Sequence, residues 1–370
     1  MRSRLLTRLD GAIAKARNPV EVACLKAERA CFLARQGQMA QARMLITALQ
    51  SQFAWRPHAA VSAWLSLAEG LHDYYTHLGP SARDRVLRAH ALSGAAHLAP
   101  LRALSAAWLA HMDVANHDMV RMAQHVHEAL ASAQADHHSA RSRACLVVAY
   151  AYHFAGDERR ALPWYARSRF HAAADGDEAH LSALMHNQAS LRGSQARLAA
   201  MFGEGSADVT RQALMSTESI TRFDAGIGAA ALVSLVPMVQ AQLLTHDQQW
   251  AEALAVYTQH YDAALSEGLE RMKPCFLADM AWCRLQLGDA QQAQADARAA
   301  ESSLRQPCDL DDRALAEARL AQVFDKLGEA RTAAVLRERA RSDLQAHRGE
   351  QERLVALLDE ALKDIVPATA

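Results

Sequence analysis

The sequence predicts an all-α protein, a solenoid of stacked helical hairpins, on three observations. Alanine supplies 80 of the 370 residues, against 9 prolines and 16 glycines. It is the strongest helix former and is depleted in strands. Aromatic residues make up only 6% of the chain, which argues against the sheet-based Rossmann, barrel and sandwich architectures. A turn followed by a small residue also recurs along the chain at a nearly fixed interval, the signature of a repeat architecture.

The opening segment, MRSRLLTRLDGAIAKAR, is basic and amphipathic. Leu5, Leu6, Leu9 and Ile13 give it one apolar face, so it reads as a first helix. It lacks the continuous apolar stretch of a secretory signal, although an organelle transit peptide shares its Arg–Leu alternation.

The repeat follows. A turn residue precedes an alanine by five positions at Gly37/Ala42, Gly156/Ala161, Gly288/Ala293 and Gly328/Ala333. Degenerate copies occur at Asp118/Ala123 and around Gln248-Gln249-Trp250 with Ala253. The six alanines lie 81, 38, 92, 40 and 40 residues apart. The two long intervals each span two periods, which places hidden copies near 80–90 and 205–215 and implies eight or nine units. In each unit a glycine ends the first helix in a left-handed conformation. The polar residue after it caps the second helix. The alanine lets the two helices cross closely. No unit buries its apolar face alone, so neighbours stack.

Breaks are expected at 203–208 (GEGSAD), with Gly203-Glu204-Gly205 as a turn, and at 306–312 (QPCDLDD). The most apolar segment, around 229–239, is expected to be a helix buried in the middle of the array and kinked by Pro237. Residues 1–343 then form the array. From 344 to 370, Leu354, Leu357, Leu358, Ala361 and Ile365 mark an amphipathic helix, beginning beyond Gly349 or bent there. It caps the array or forms a homodimer seam.

The repeat resembles the tetratricopeptide repeat, most clearly over 142–174. Ala149 and Tyr152 stand at that family's small and aromatic positions, Gly156-Asp157 at its turn, Ala161 at its crossing and Tyr165 at its second-helix aromatic. Ala281 and Ala293, then Ala321, Phe324, Ala333 and Ala340, continue the match. The longer period and missing closing prolines resemble the sensor arrays of bacterial regulators such as the maltose regulator. The resemblance implies a right-handed superhelix of about 16 or 17 helices, with the first helices lining a concave groove. Carrying its groove positions across gives Trp108; Arg143, Tyr150 and His153; Gln242 and His246; Asp279 and Trp282; and Arg319, Gln322 and Lys326. His186, Asn187 and Arg192 are the polar groups in the unit at 177–202. The matched Lys and Asn pairs of a carboxylate clamp are missing.

Catalytic motifs are absent from the sequence. It has no H-E-x-x-H, G-x-S-x-G or phosphate-binding glycine loop. The 18 histidines include His125 and His127, which diverge on a helix, and His137-His138 at a turn. Six cysteines without a C-x-x-C pair read as buried thiols in a reducing cytoplasm. A net charge of −1 leaves no nucleic-acid footprint, and no apolar run is long enough to span a membrane. The expected function is a non-enzymatic cytoplasmic scaffold, free of metal and cofactor, that binds a protein, peptide or small ligand in its groove. The alternative is the effector-sensing module of a signalling or transcription-regulation system whose output domain is a separate partner.

Overall fold

Local turn chemistry sets the architecture. In the computed structural model, which describes residues 3–79, 81–203 and 207–365, the backbone at Gly37, Gly156, Gly288 and Gly328 is left-handed, with φ between 79° and 90°. His117 and Gln248 hold the same conformation in the degenerate copies. One hydrogen bond recurs after these turns. The amide of Asp157 donates to Tyr152 O at 2.9 Å, that of Asp289 to Arg284 O at 2.9 Å and that of Glu329 to Phe324 O at 2.8 Å. This six-residue closure satisfies a carbonyl orphaned at the helix end. Asp118, Asp157 and Asp289 then accept from the backbone three residues on and start the next helix.

Seventeen α-helices result among the described residues: α1 (Arg4–Lys15), α2 (Pro19–Arg35), α3 (Met39–Phe53), α4 (Ala59–His77), α5 (Ser81–Ala95), α6 (Ala99–Ala115), α7 (Met119–Ser132), α8 (His138–Phe154), α9 (Glu158–Asp175), α10 (Glu178–Phe202), α11 (Ala207–Ile227), α12 (Leu235–His246), α13 (Trp250–Ser266), α14 (Lys273–Gln286), α15 (Ala290–Ser303), α16 (Leu310–Lys326) and α17 (Ala330–Leu362). A short 3₁₀ turn, Leu269–Met272, precedes α14. Described residues contain no strand. Consecutive helices pack as hairpins, as in α4 with α5, α6 with α7, α8 with α9 and α14 with α15. First helices also pack on one another, α2 on α4, α6 on α8 and α14 on α16. All six repeat alanines, Ala42, Ala123, Ala161, Ala253, Ala293 and Ala333, are buried at these crossings. The copy expected near 80–90 is the α4–α5 hairpin, whereas the glycine turn expected at 203–205 lies largely outside the described residues.

The chain divides into two compact units. The first comprises Met1–Met185, Phe223–Ala231 and Glu352–Ala370, and the second His186–Arg222 and Leu232–Gln351. Helices α10, α11 and α17 contribute to both.

In the first unit α1 buries Leu5 and Leu9 with Phe32 and Ala179. Its backbone reaches the α9–α10 turn, with the Leu5 amide donating to Gly176 O at 3.1 Å. Ser3 Oγ donates to Glu178, Arg8 pairs with Asp175 at 2.6 Å, and Arg35 forks onto Asp177. Helix α1 is thus held to residues 167 to 175 positions later in the chain. Leu354 and Leu358 of α17 belong to the core formed by α6, α7, α8 and α9, and Asp359 accepts from Tyr152 Oη at 2.9 Å. In the second unit Ala196, Ala213, Val239 and Leu243 join α10, α11 and α12. A separate core joins α14, α15, α16 and α17.

Two local expectations are corrected. The apolar segment is not one buried helix: α11 ends at Ile227, residues 228–234 leave the helix, and Val233 is exposed. Ala230 instead donates to Gln36 O at 2.9 Å, beside Gly37. Pro237 falls in the first turn of α12, where its missing N–H costs no helical hydrogen bond. At the C-terminus, α17 runs unbroken through Gly349 and is the second helix of the last hairpin. The boundary drawn at 343/344 therefore falls inside it. Gly349 is tolerated because flanking Leu336, Ala340, Leu354 and Leu358 anchor the helix on both sides.

Candidate functional site

First helices carry two polar–aromatic clusters, one in each unit. In the first, Trp108 of α6 lies flat beneath Arg143 of α8, whose guanidinium carbon is 3.9 Å from the ring centroid. Tyr75, Tyr74 and His111 meet the Trp108 ring edge-on at 6.2, 6.5 and 5.6 Å. Tyr74 Oη and His111 Nε2 are 3.0 Å apart. Burial, reinforced by Arg143, pulls the His111 pKa down to about 3. His111 is therefore neutral and shares one hydrogen bond with the Tyr74 hydroxyl.

Arg143 is 2% exposed, and its Nε and Nη1 have no hydrogen-bond partner. Burial favours loss of its charge. Arg35, nearby, forks onto buried Asp177, so its charge is balanced. His180 of α10 is buried, and its pKa is driven down by desolvation and then by Arg143 and Arg35. Its Nε2 lies 2.8 Å from Ser168 Oγ, which donates to Ser142 O at 2.8 Å. Ser168 is fully buried, so this pair joins helices.

The second cluster uses α12, α14 and α16, with Tyr257 from α13. Arg319 Nε donates to Asp279 Oδ1 at 3.0 Å, and Tyr257 Oη to Asp279 Oδ2 at 3.1 Å. Arg319 Nη1 donates to Gln322 at 2.7 Å, and Nη2 lies 3.3 Å from His246 Nε2. Burial, then Arg319, holds His246 at about 3. Trp282, half-buried, has Arg319 at 5.2 Å and Lys326 at 4.9 Å from its ring. Lys326 Nζ donates to Gln286 at 2.9 Å. Arg319 is buried and paired with Asp279, so exposed Lys326 beside the half-buried ring is the cation open to an anionic partner.

The structure thus joins Trp108 with Arg143, and Trp282 with Arg319, His246, Asp279, Gln322 and Lys326. His153 is buried against its own hairpin partner, its Nδ1 3.1 Å from Tyr165 Oη. Tyr150 stacks on Phe154, with ring centroids 6.3 Å apart. Half-buried His186 and Asn187 begin the second unit's share of α10. Gln242 is buried in α12, its Nε2 without a partner. Sequence reasoning missed Arg35, Tyr74, Tyr75, His111, Asp177, His180 and Tyr257. Tyr74, Trp108 and Arg143 are spaced by 34 and 35 residues, a first-helix interval that pointed to the first two clustering with Arg143.

Among the described residues no group of three His, Cys, Asp or Glu side chains is placed to hold a metal ion. No described helix is long and apolar enough to cross a membrane. Neither a protein-family model nor a curated protein matches this chain.

Proposed function

We propose that this protein is a non-enzymatic scaffold of tetratricopeptide-like hairpins, wound as a right-handed superhelix, that binds a protein or peptide partner on its first helices. The observation that carries this reading is the α14–α16 face, where half-buried Trp282 has exposed Lys326 at 4.9 Å from its ring, with buried Arg319 behind at 5.2 Å. Hairpin packing does not require that arrangement, because the crossing alanines and the α14–α17 core already close the helices. A partly exposed tryptophan beside a cation is a frequent anchor of binding energy. Arg143 is too buried to serve as the direct anchor that the groove positions suggested.

Partner capture from native extract tests this reading. Trp282→Ala and Lys326→Ala should each lose the partner captured by the wild type, with helical circular dichroism unchanged. Arg167→Ala, on a second helix, should retain it. Capture that survives both first-helix substitutions places binding elsewhere.

A further inference from the structure

One side of α9, in the first unit, is left uncovered by the rest of the chain. At 3.6 residues per turn, Leu162, Pro163, Ala166, Phe170 and Ala173 share about a third of the helix circumference, and all five are exposed. Leu162 is 50% and Phe170 60% exposed. The rings of His138 and His171 meet Phe170 edge-on at 6.4 and 5.2 Å and hold it there. Single exposed apolar residues are ordinary, but an apolar row on one helix face marks an interaction surface. The repeat does not demand this row. Leu162, Ala166 and Phe170 stand one, five and nine residues after the crossing Ala161. The same positions read Gln124, Glu128 and Ser132 in α7, and Gln294, Arg298 and Ser302 in α15. Of the six copies with a crossing alanine, α9 alone is apolar at all three.

Charge selects what covers the row. Arg159 and Arg169 lie on the same arc, about 15 Å apart along the axis at 1.5 Å per residue. Both are exposed and make no ion pair among the described residues. The other charges of α9 are committed: Arg160 to Asp157 and Asp359, Asp175 to Arg8, and Arg167 to the Trp164 ring. The arc itself carries no carboxylate; Glu158 stands beside it in the first turn, where it suits the helix dipole. A second α9 would therefore bring arginines and no acid to this face. A lipid surface calls for bulkier anchors than alanine. Ala166 instead leaves a gap between Leu162 and Phe170 in which another helix approaches closely, as the crossing alanines allow within the hairpins. We propose that this face docks an acidic amphipathic helix of a protein partner. Its apolar side packs across Ala166 between Leu162 and Phe170, and a carboxylate at each end pairs with Arg159 and Arg169. The face lies in the first unit, and the Trp282 face in the second.

Photo-crosslinking of the full chain in native extract tests this assignment, with Phe170→p-benzoylphenylalanine as the probe. The labelled peptide, sequenced by mass spectrometry, should be a helix-forming segment of another protein, with acidic residues flanking apolar ones. Arg159→Glu with Arg169→Glu should cut the crosslink yield at least about tenfold, because both end pairs become repulsive. Arg159→Lys with Arg169→Lys should keep most of it. These exposed changes should leave helical circular dichroism unchanged. Trp282→Ala should leave the yield unchanged, which separates this face from the proposed first-helix face. The assignment is overturned if the probe labels no protein, or only lipid, nucleic acid or a second copy of this chain. It is also overturned if the labelled segment has no net negative charge, or if the double charge reversal keeps the wild-type yield.

Discussion

Replacing Arg143 by methionine should make the protein more stable. Two guanidinium nitrogens, Nε and Nη1, are buried without acceptors. Each unsatisfied donor costs about 1–3 kcal/mol, so the two together cost roughly 2–6 kcal/mol. The Trp108 ring at 3.9 Å returns part of this, on the order of 2 kcal/mol for a desolvated cation–π contact. Methionine keeps an unbranched side chain, packs its thioether on Trp108 and buries no charge. The net gain is about 2 kcal/mol, in line with other replacements of buried charge by apolar groups. For a cooperative unit of this size that corresponds to roughly 4–8 °C in Tm. Differential scanning calorimetry at neutral pH measures it directly. Arg143→Lys serves as the control: it keeps the charge, loses the planar stack and should not gain stability. A Tm for Arg143→Met below the wild type would refute the reasoning, because it would mean that the guanidinium has a stabilising counter-ion.

Two other perturbations probe the hairpins and a buried carboxyl. Ala161→Leu, Ala293→Leu and Ala333→Leu each insert bulk at a fully buried crossing and should destabilise by about 1–3 kcal/mol in urea unfolding; unchanged midpoints in all three would misplace the crossings. Burial, and then the neighbouring Asp343 charge, raises the Glu317 pKa to about 7. A raised carboxyl pKa means that the folded state keeps a proton the unfolded chain has lost, so Glu317's contribution is fully present below about pH 4 and declines up to about pH 7. Glu317→Gln should therefore match the wild type near pH 4 and exceed it by on the order of 2 kcal/mol at pH 8. Parallel stability curves across that interval would show that Glu317 titrates normally.

The sequence alone was enough to determine the helical hairpin, because the hairpin is decided over short distances. A left-handed glycine, a capping aspartate and an alanine five residues after the turn act within one unit, and all six crossing alanines are buried. Gln248 and His117 show that the turn conformation is enforced even where glycine is missing. The unbroken path of α17 through Gly349 was not legible, because a single glycine weakens a helix by less than its packing on both sides restores. Nor was the exit from the helix after Ile227, since apolar composition does not distinguish a buried helix from a segment docked at a distant turn.

The site depended most on tertiary structure. The 34- and 35-residue steps from Tyr74 to Trp108 to Arg143 put them on successive first helices, but not at a stated depth. Whether such a residue faces solvent depends on which helices pack over it within its own unit. That packing buries Arg143 and Trp108 in the first unit and leaves Trp282 half-exposed in the second. The same long-range packing brings Arg35 to Asp177, 142 residues away. In the second unit Glu317 and Arg313 are neighbours on one turn of α16, and the packing of α17 on that helix brings Asp343 to them. Local backbone preference made the hairpins, and the packing of helices distant in sequence decided which charges lost their water.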